Sequence, residues 1–288
     1  MLRSLTSAIS GLQSFQQRLD VIGNNIANVN TTAFKSARVG LADSFSQTLR
    51  NSSASTGAAS GTSAMQVGLG VGIQSITNSY TQGALSRTGV GTDLAITNSG
   101  FFVVRDPISL NEYVTRAGDF SVDEIGNLVT NAGMRVQGFN DSGLTTIGDI
   151  LIDTAGMPAT SDPAATMVSF AVDIEGKVNV NLSDGTQFVR AQLLLQNFSN
   201  PQGLTKEGEN LYSGIGAAGP LGGATSPTPA AAGTNGLGKI QAGALELSNV
   251  DLATEFTSLI TTQRAYQANA RVITTSDEML QELVNLKR

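Results

Sequence analysis

Histidine, cysteine and tryptophan are all absent from this chain of 288 residues. Without histidine, the commonest general base and the commonest metal ligand are missing together. Without cysteine there is no disulfide, no thiolate metal site and no thiol nucleophile. Catalysis would be left to paired carboxylates, a lysine, or a serine–lysine arrangement. Asp123 and Glu124 are adjacent in a turn-forming stretch, and Glu207 and Glu209 have the spacing to share a strand face, with nothing nearby that supports a cleft. A glycosidase-type carboxylate pair has no support in this pattern. Charged residues make up 14% and aromatics 5%, the former well below the usual share. The net charge is −6 with no basic cluster, which argues against nucleic acid, whose binding needs Lys and Arg against phosphates. No apolar run reaches the length of a membrane span, Leu193-Leu194-Leu195 being among the longest. Arg3 is followed by Ser4, Thr6, Ser7 and Ser10 among the apolar residues, unlike a secretory signal. If the protein leaves the cell, the expected route needs no cleaved signal.

What is present is a pair of matched apolar patterns at the two ends. Leu2, Leu5, Ile9, Leu12, Leu19, Ile22 and Ile26 step by three and four, with Gln16 as the interruption. Leu252, Phe256, Leu259, Tyr266, Ala270, Ile273, Leu280 and Val284 do the same, with Gln263 and Asp277 as the polar exceptions. Each end predicts a helix with a narrow apolar seam, the pattern of coiled coils. Such a seam needs a partner: the other end of the same chain, or the ends of neighbouring copies. Asn24, Asn25, Asn28 and Asn30 close the first pattern. They form either an ordinary helix end or a set of amides that bridge neighbouring copies without net charge.

Between the ends the period changes. The first helix is expected over residues 3–28, with a shorter helical stretch from about Ala37 to Leu49. Residues 51–64 (NSSASTGAASGTSA) read as a flexible loop or as a tract that orders between copies. From Val67 to Ile73 apolar residues alternate with Gly and Gln, and short strand candidates follow, split by Gly118, Gly126 and Gly133. Glu175-Gly176 and Asp184-Gly185 punctuate alternating runs as hairpin signals. Phe101 and Phe102 fall on opposite faces of a strand, placing at least one in a core. Gly68 to Gly72 and Gly89 to Gly91 lack the Lys-Ser/Thr ending of a phosphate loop. Arg87, Asp93, Arg116 and Asp119 read as surface ion pairs or contacts between copies. Ser248 with Asp251 offers a capping-box-like start to the last helix. The fold class is mainly β with α-helical termini. The expected domains are 1–36 with 244–288 as a helical inner domain, 37–66 as helix and connecting segment, 67–212 as a β-rich body, and 213–243 as an extended connector.

The run Gly23-Asn24-Asn25-Ile26-Ala27-Asn28-Val29-Asn30-Thr31-Thr32-Ala33-Phe34-Lys35 resembles the flagellar rod and hook protein family. GALSRTGVGTDLAI (83–96), Gly100-Phe101-Phe102, YVTRAG (113–118), NFSNPQGL (197–204) and the block 243–288 agree with it, in order along most of the chain. Gly243 to Leu252, Val284 to Arg288 and Val67 to Val71 resemble the hook type most. Two features depart from that type. The stretch between Phe139 and Val168 is short where hook proteins usually carry an outer β domain, and residues 51–64 resemble the segment that distal rod proteins, and some hook proteins, carry after their first helix.

The resemblance implies a structural subunit, not an enzyme, with no cofactor and no metal. In the family the terminal helices pack as an inner tube between many copies. The assembly residues implied here are Leu2, Leu5, Ile9, Leu12, Leu19, Ile22, Asn24, Asn25, Ile26, Asn28, Leu252, Phe256, Leu259, Tyr266, Ile273, Leu280 and Val284. The first reading is a hook subunit, a flexible joint that transmits torque and forms part of an export channel. The alternative is a distal rod subunit, a rigid drive shaft, and a surface adhesin is a distant third. The implied partners are further copies of the chain, other axial flagellar proteins (rod, hook cap, hook–filament junction) and the type III export apparatus. No nucleic acid and no membrane insertion are expected. The implied location is the extracellular hook, or the rod within the cell envelope.

Overall fold

A computed structural model describes residues 2–54, 60–158, 161–162, 164–221 and 228–286. The chain divides into two compact units. The first comprises residues 1–27, 36–79 and 250–288, and the second residues 28–35 and 80–249. Three α-helices occur among the described residues: α1 (Leu2–Ala27), α2 (Ile215–Ala218, a single turn) and α3 (Leu252–Leu286).

The first unit pairs α1 with α3. Asn25 Nδ2 reaches Glu255 Oε1 at 3.1 Å, and a Cβ built on Gly11 would lie 2.6 Å from Asn269 Nδ2. From Gly11 to Asn25 and from Asn269 to Glu255 are equal steps of two heptads in opposite directions, so the helices run antiparallel. α1 contains no proline and ends at Ala27, where the Thr31 N–H bonds the Asn28 carbonyl at 3.2 Å. α3 begins one residue after Asp251, whose carboxylate accepts from the Ala253 N–H at 2.9 Å and from Thr254 Oγ1 at 3.1 Å. Asp251 is therefore the cap itself, and the capping box expected from Ser248 is corrected.

The helix expected over Ala37 to Leu49 is also corrected. β1 (Ala37–Asp43), β2 (Ser46–Arg50), β3 (Met65–Gly68) and β4 (Val71–Asn78) occupy this region. β1 pairs antiparallel with β4, from Ala37↔Asn78 to Asp43↔Val71, with a bulge at Gly40/Leu41. β2 pairs antiparallel with β3. Val39 is buried between exposed Arg38 and half-buried Gly40, and the alternation of β4 supplies a ladder for the β1 backbone groups. A glycine inside the segment weakens a helix by about 1 kcal/mol, so the strand partner decides the outcome. β2 and β3 are exposed throughout. Of the tract 51–64, residues 55–59 lie outside the described residues, and Ser53 bridges Thr62 on either side of them.

The second unit is β-rich. In chain order its strands are β5 (Leu85–Arg87), β6 (Leu94–Ile96), β7 (Phe101–Arg105), β8 (Glu112–Thr115), β9 (Phe120–Val122), β10 (Leu128–Thr130), β11 (Arg135–Phe139), β12 (Ile147–Asp149), β13 (Met167–Val172), β14 (Lys177–Leu182), β15 (Gln187–Gln196), β16 (Thr205–Gly208), β17 (Leu211–Ser213), β18 (Ala230–Ala231), β19 (Ile240–Ala242) and β20 (Ala244–Glu246). The main sheet runs β13-β14-β15-β11-β7-β8-β17-β16, with β9, β10, β12 and β18 attached at its side. Two further ribbons pair β19 with β6 and β20 with β5. β14 and β15 form the Asp184-Gly185 hairpin, with Gly185 at φ +83°. Residues 222–227 of the expected connector lie outside the described residues, and its described parts contribute α2, β18 and β19.

β7 divides the core. Phe102 and Val104 point into one cluster with Val136, Ile150, Val180 and Leu195. Phe101 and Val103 point into another with Val114, Phe198 and Tyr212. The Phe102 and Phe120 rings meet edge to face at 5.1 Å, and Phe101 and Phe198 at 5.6 Å. Both faces of this strand are thus buried, which accounts for its unbroken apolar run. A Cβ on Gly118 would lie 1.6 Å from the Leu94 carbonyl oxygen. Only glycine permits the Leu94 N–H to bond the Gly118 carbonyl at 2.9 Å there.

Candidate functional site

The sequence nominates the faces of α1 and α3. On α1, Ile22 is buried, Leu5, Leu12, Leu19 and Ile26 are half-buried, and Ile9 is exposed. On α3, Leu259, Ile273 and Leu280 are half-buried, while Leu252, Phe256, Tyr266 and Val284 are exposed, Phe256 to 50% and Val284 to 65%. The side chain of Leu2 lies outside the described residues.

The surface where the two helices meet is different from the expected seam. On α3, Thr262 and Ser276 are the buried residues, and Glu255 and Asn269 contact α1 as described above. These four positions form their own seven-residue repeat, polar throughout. The Thr262 hydroxyl bonds the Ser258 carbonyl at 2.6 Å and the Ser276 hydroxyl bonds the Val272 carbonyl at 2.7 Å. Burial therefore leaves neither hydroxyl unsatisfied. On α1 buried Gly11 lies on the matching surface, whereas buried Ser14 bonds the Ser10 carbonyl at 2.9 Å and the Val71 carbonyl of β4 at 3.4 Å. Extending the antiparallel register puts Met279 to Leu286 beyond the first residue of α1. Met279, Leu283 and Leu286 are exposed there along one side of the helix.

The asparagines separate by role. Asn25 is 1% exposed. Its amide donates to the Ala37 carbonyl at 2.8 Å and to Glu255, and its Oδ1 accepts from the Ala37 N–H at 3.0 Å. The proposed bridge to a neighbouring copy is corrected for this residue, because the amide is consumed inside the chain. Asn28 Oδ1 accepts from Thr31 Oγ1 at 3.1 Å within the turn that follows α1. Asn24 is exposed.

Sequence reasoning missed a buried ionic cluster in the second unit. Lys35 Nζ lies 2.7 Å from Glu246 Oε1, and Arg116 Nη1 lies 3.4 Å from Glu246 Oε2. Glu246 Oε1 also accepts from the Gly83 N–H at 2.8 Å. Lys35 donates further to the Thr81 carbonyl at 2.8 Å, and Arg116 to the carbonyls of Ile96 and Asn98. Burial pushes the Lys35 ammonium below its usual range, opposed by the charge of Glu246. Burial acts in the same direction on Arg116. Arg116 is thus a core residue, and its expected surface role is corrected. Lys35 stands in the motif that carried the family resemblance, which was the available signal. Its partner Glu246 lies 211 residues away in sequence, and Arg116, the second cation on that carboxylate, 81 residues away. Among the described residues no His, Cys, Asp and Glu grouping suits a metal ion, and no helix is long and apolar enough to cross a membrane.

Three family models match in order along the chain. Residues 5–35 match "Flagella basal body rod protein", residues 95–180 the "Flagellar hook protein FlgE/F/G D1 domain", and residues 241–286 the "Flagellar basal body rod FlgEFG protein C-terminal". The chain is 42% identical over 288 residues to the flagellar basal-body rod protein FlgG of Bacillus subtilis, covering 100% of both. This chain belongs to the flagellar basal-body rod and hook protein family. It is also 39% identical to FlgG of Buchnera aphidicola (Acyrthosiphon pisum), covering 99% of this chain and 100% of that one. To the flagellar hook protein FlgE of Borreliella burgdorferi it is 29% identical, with 100% of each chain covered by an alignment 449 residues long. The chain is a structural component of the flagellum and not an enzyme.

Proposed function

We propose that the chain is a distal rod subunit that polymerises through its terminal helices into a hollow helical drive shaft. The carrying observation is the length of the match. The FlgG alignment runs 288 residues against a chain of 288, whereas the hook alignment runs 449 and so requires a long insertion absent here. Among the described residues between β11 and β13, where hook proteins were expected to carry an outer domain, the short strand β12 is the one strand. The hook reading placed first on sequence motifs is therefore the weaker of the two.

The exposed β2–β3 ribbon supports the same reading. A two-stranded ribbon is marginal alone in water, and Phe45, Leu49, Met65, Val67 and Leu69 on and beside it are exposed. Packed between neighbouring copies, it would bury these residues and resist sliding. The half-buried and exposed apolar residues of α1 and α3 form the contacts of the inner tube. The partners of this reading are further copies and other axial proteins of the flagellum, reached by the flagellar export route.

Electron cryo-microscopy of polymers grown from the full chain tests the proposal. Straight tubes of high bending stiffness are expected, with deletion of residues 51–64 increasing curvature. Curved, polymorphic tubes from the unaltered chain would return the assignment to the hook.

A further inference from the structure

The β7–β8 turn of the second unit is built to present apolar side chains to solvent. Ile108 is 92% exposed and Leu110 is 63% exposed. Asp106 fixes the turn: its carboxylate accepts from the Ile108 N–H at 2.9 Å and from Ser109 Oγ at 2.7 Å. The Leu110 N–H bonds the Asp106 carbonyl at 3.0 Å, with Leu110 held at φ +58°, a conformation an L-residue with a large side chain rarely adopts. Exposed Glu112 and half-buried Asp106 flank the apolar tip, so the projection is apolar and acidic.

The same unit carries a complementary depression. An open groove of about 640 Å³ is lined by Val172, Ile174 and Ile240, with Arg87 and Lys239 on its rim. Neither cation makes an ion pair among the described residues. Asp173 is the one acid in the lining.

We propose that the Ile108–Leu110 tip of one copy seats in the Arg87–Lys239 groove of a second copy. The apolar tip would cover Val172 and Ile174, and Asp106 and Glu112 would face the two unpaired cations. Tip and groove are different patches of one chain, so the contact is head-to-tail, the kind that extends a helical polymer when the rotation between copies does not close a ring. The inference rests on the polymer reading but not on the choice between rod and hook.

The chain has no cysteine, so introduced thiols are the only ones present. Full-length Ile108→Cys and Ala242→Cys chains are mixed under polymerising conditions and oxidised, and both sites are exposed enough to leave the fold intact. A disulfide joining positions 108 and 242 of different chains is expected as the main product. Adding Lys239→Glu to the Ala242→Cys chain should lower its yield about fivefold, and Glu112→Lys in the other chain should restore it. Tubes that form without this disulfide overturn the docking and leave the polymer reading standing. Equal capture of Ile125→Cys, from the exposed Asp123–Ile125 turn, overturns the choice of occupant. Absence of both tubes and disulfide overturns docking and polymer reading together.

Discussion

Glu246→Gln isolates the charge of the buried cluster from its shape. Glutamine retains an oxygen for the Gly83 N–H or the Lys35 ammonium, but Lys35 and Arg116 are left as two buried cations without an anion. Removing one partner of a buried pair is expected to destabilise by about 3–5 kcal/mol. The lysine share has a ceiling. Lys35 can lose its proton, and holding a lysine of ordinary pKa 10.5 neutral at pH 7 costs about 5 kcal/mol. The ceiling falls by about 1.4 kcal/mol for each pH unit toward 10.5. Arg116 cannot escape in this way, but it keeps the Ile96 and Asn98 carbonyls. The expected loss is therefore largest near neutrality and shrinks between pH 7 and 10. Urea unfolding of the full chain, followed by far-UV circular dichroism at several pH values, measures it. A loss below about 1 kcal/mol, or one that does not change with pH, would refute the reasoning. Replacing the cluster with Lys35→Met, Arg116→Met and Glu246→Leu together should recover most of the stability, since packed apolar residues often match a buried ionic group.

Three further outcomes are expected. Asn25→Leu should lower the stability of the first unit by about 2–4 kcal/mol, because it strands the Ala37 backbone groups; an unchanged thermal midpoint would show the amide to be dispensable. Gly11→Ala should be neutral or destabilising alone, yet stabilise by about 1 kcal/mol in an Asn269→Ala background, where helix propensity acts without the clash; chemical denaturation of the four chains reads the coupling. Burial tends to raise the Asp149 pKa, but hydrogen bonds from Gln137 and Arg135 and the charge of Arg105 hold it below 3.8. Its contribution is thus present above pH 3.8 and is lost as pH falls through the lower folded value. Asp149→Asn should be less stable at pH 7 and show a flatter acid limb in a stability–pH profile.

Much of this architecture is legible in local pattern. The terminal helices follow from apolar residues at three- and four-residue steps, and the β14–β15 hairpin follows from alternation around Asp184-Gly185. β1 is not legible, because the decision between helix and strand there belongs to β4, whose Asn78 pairs with Ala37 from 41 residues away. Nor is the ionic cluster, since nothing near Lys35 in sequence announces Glu246 or Arg116. Asn25 illustrates a third limit. Its residue type suits a bridge between chains and a clamp within one chain equally well, and only its burial against Ala37 and Glu255 distinguishes them.

The seam of α3 carries the same lesson into function. Leu259, Tyr266, Ile273 and Leu280 repeat every seven residues, and so do Glu255, Thr262, Asn269 and Ser276. Periodicity cannot rank two registers of equal period, and hydrophobicity favours the first. The folded chain uses the second against α1, where small side chains and internally bonded hydroxyls allow close approach. Of the first, Leu259, Ile273 and Leu280 are left half-buried and Tyr266 exposed, with Phe256 and Val284 exposed beside it. Full burial of each large apolar side chain is worth about 1.5–3 kcal/mol, and much of that gain remains unrealised in the single chain. A helix pair that spends its polar face inward and keeps apolar area outward is weak alone and strengthened by every neighbour that covers it. In the proposed tube, order at the termini and addition of the next copy are then the same event.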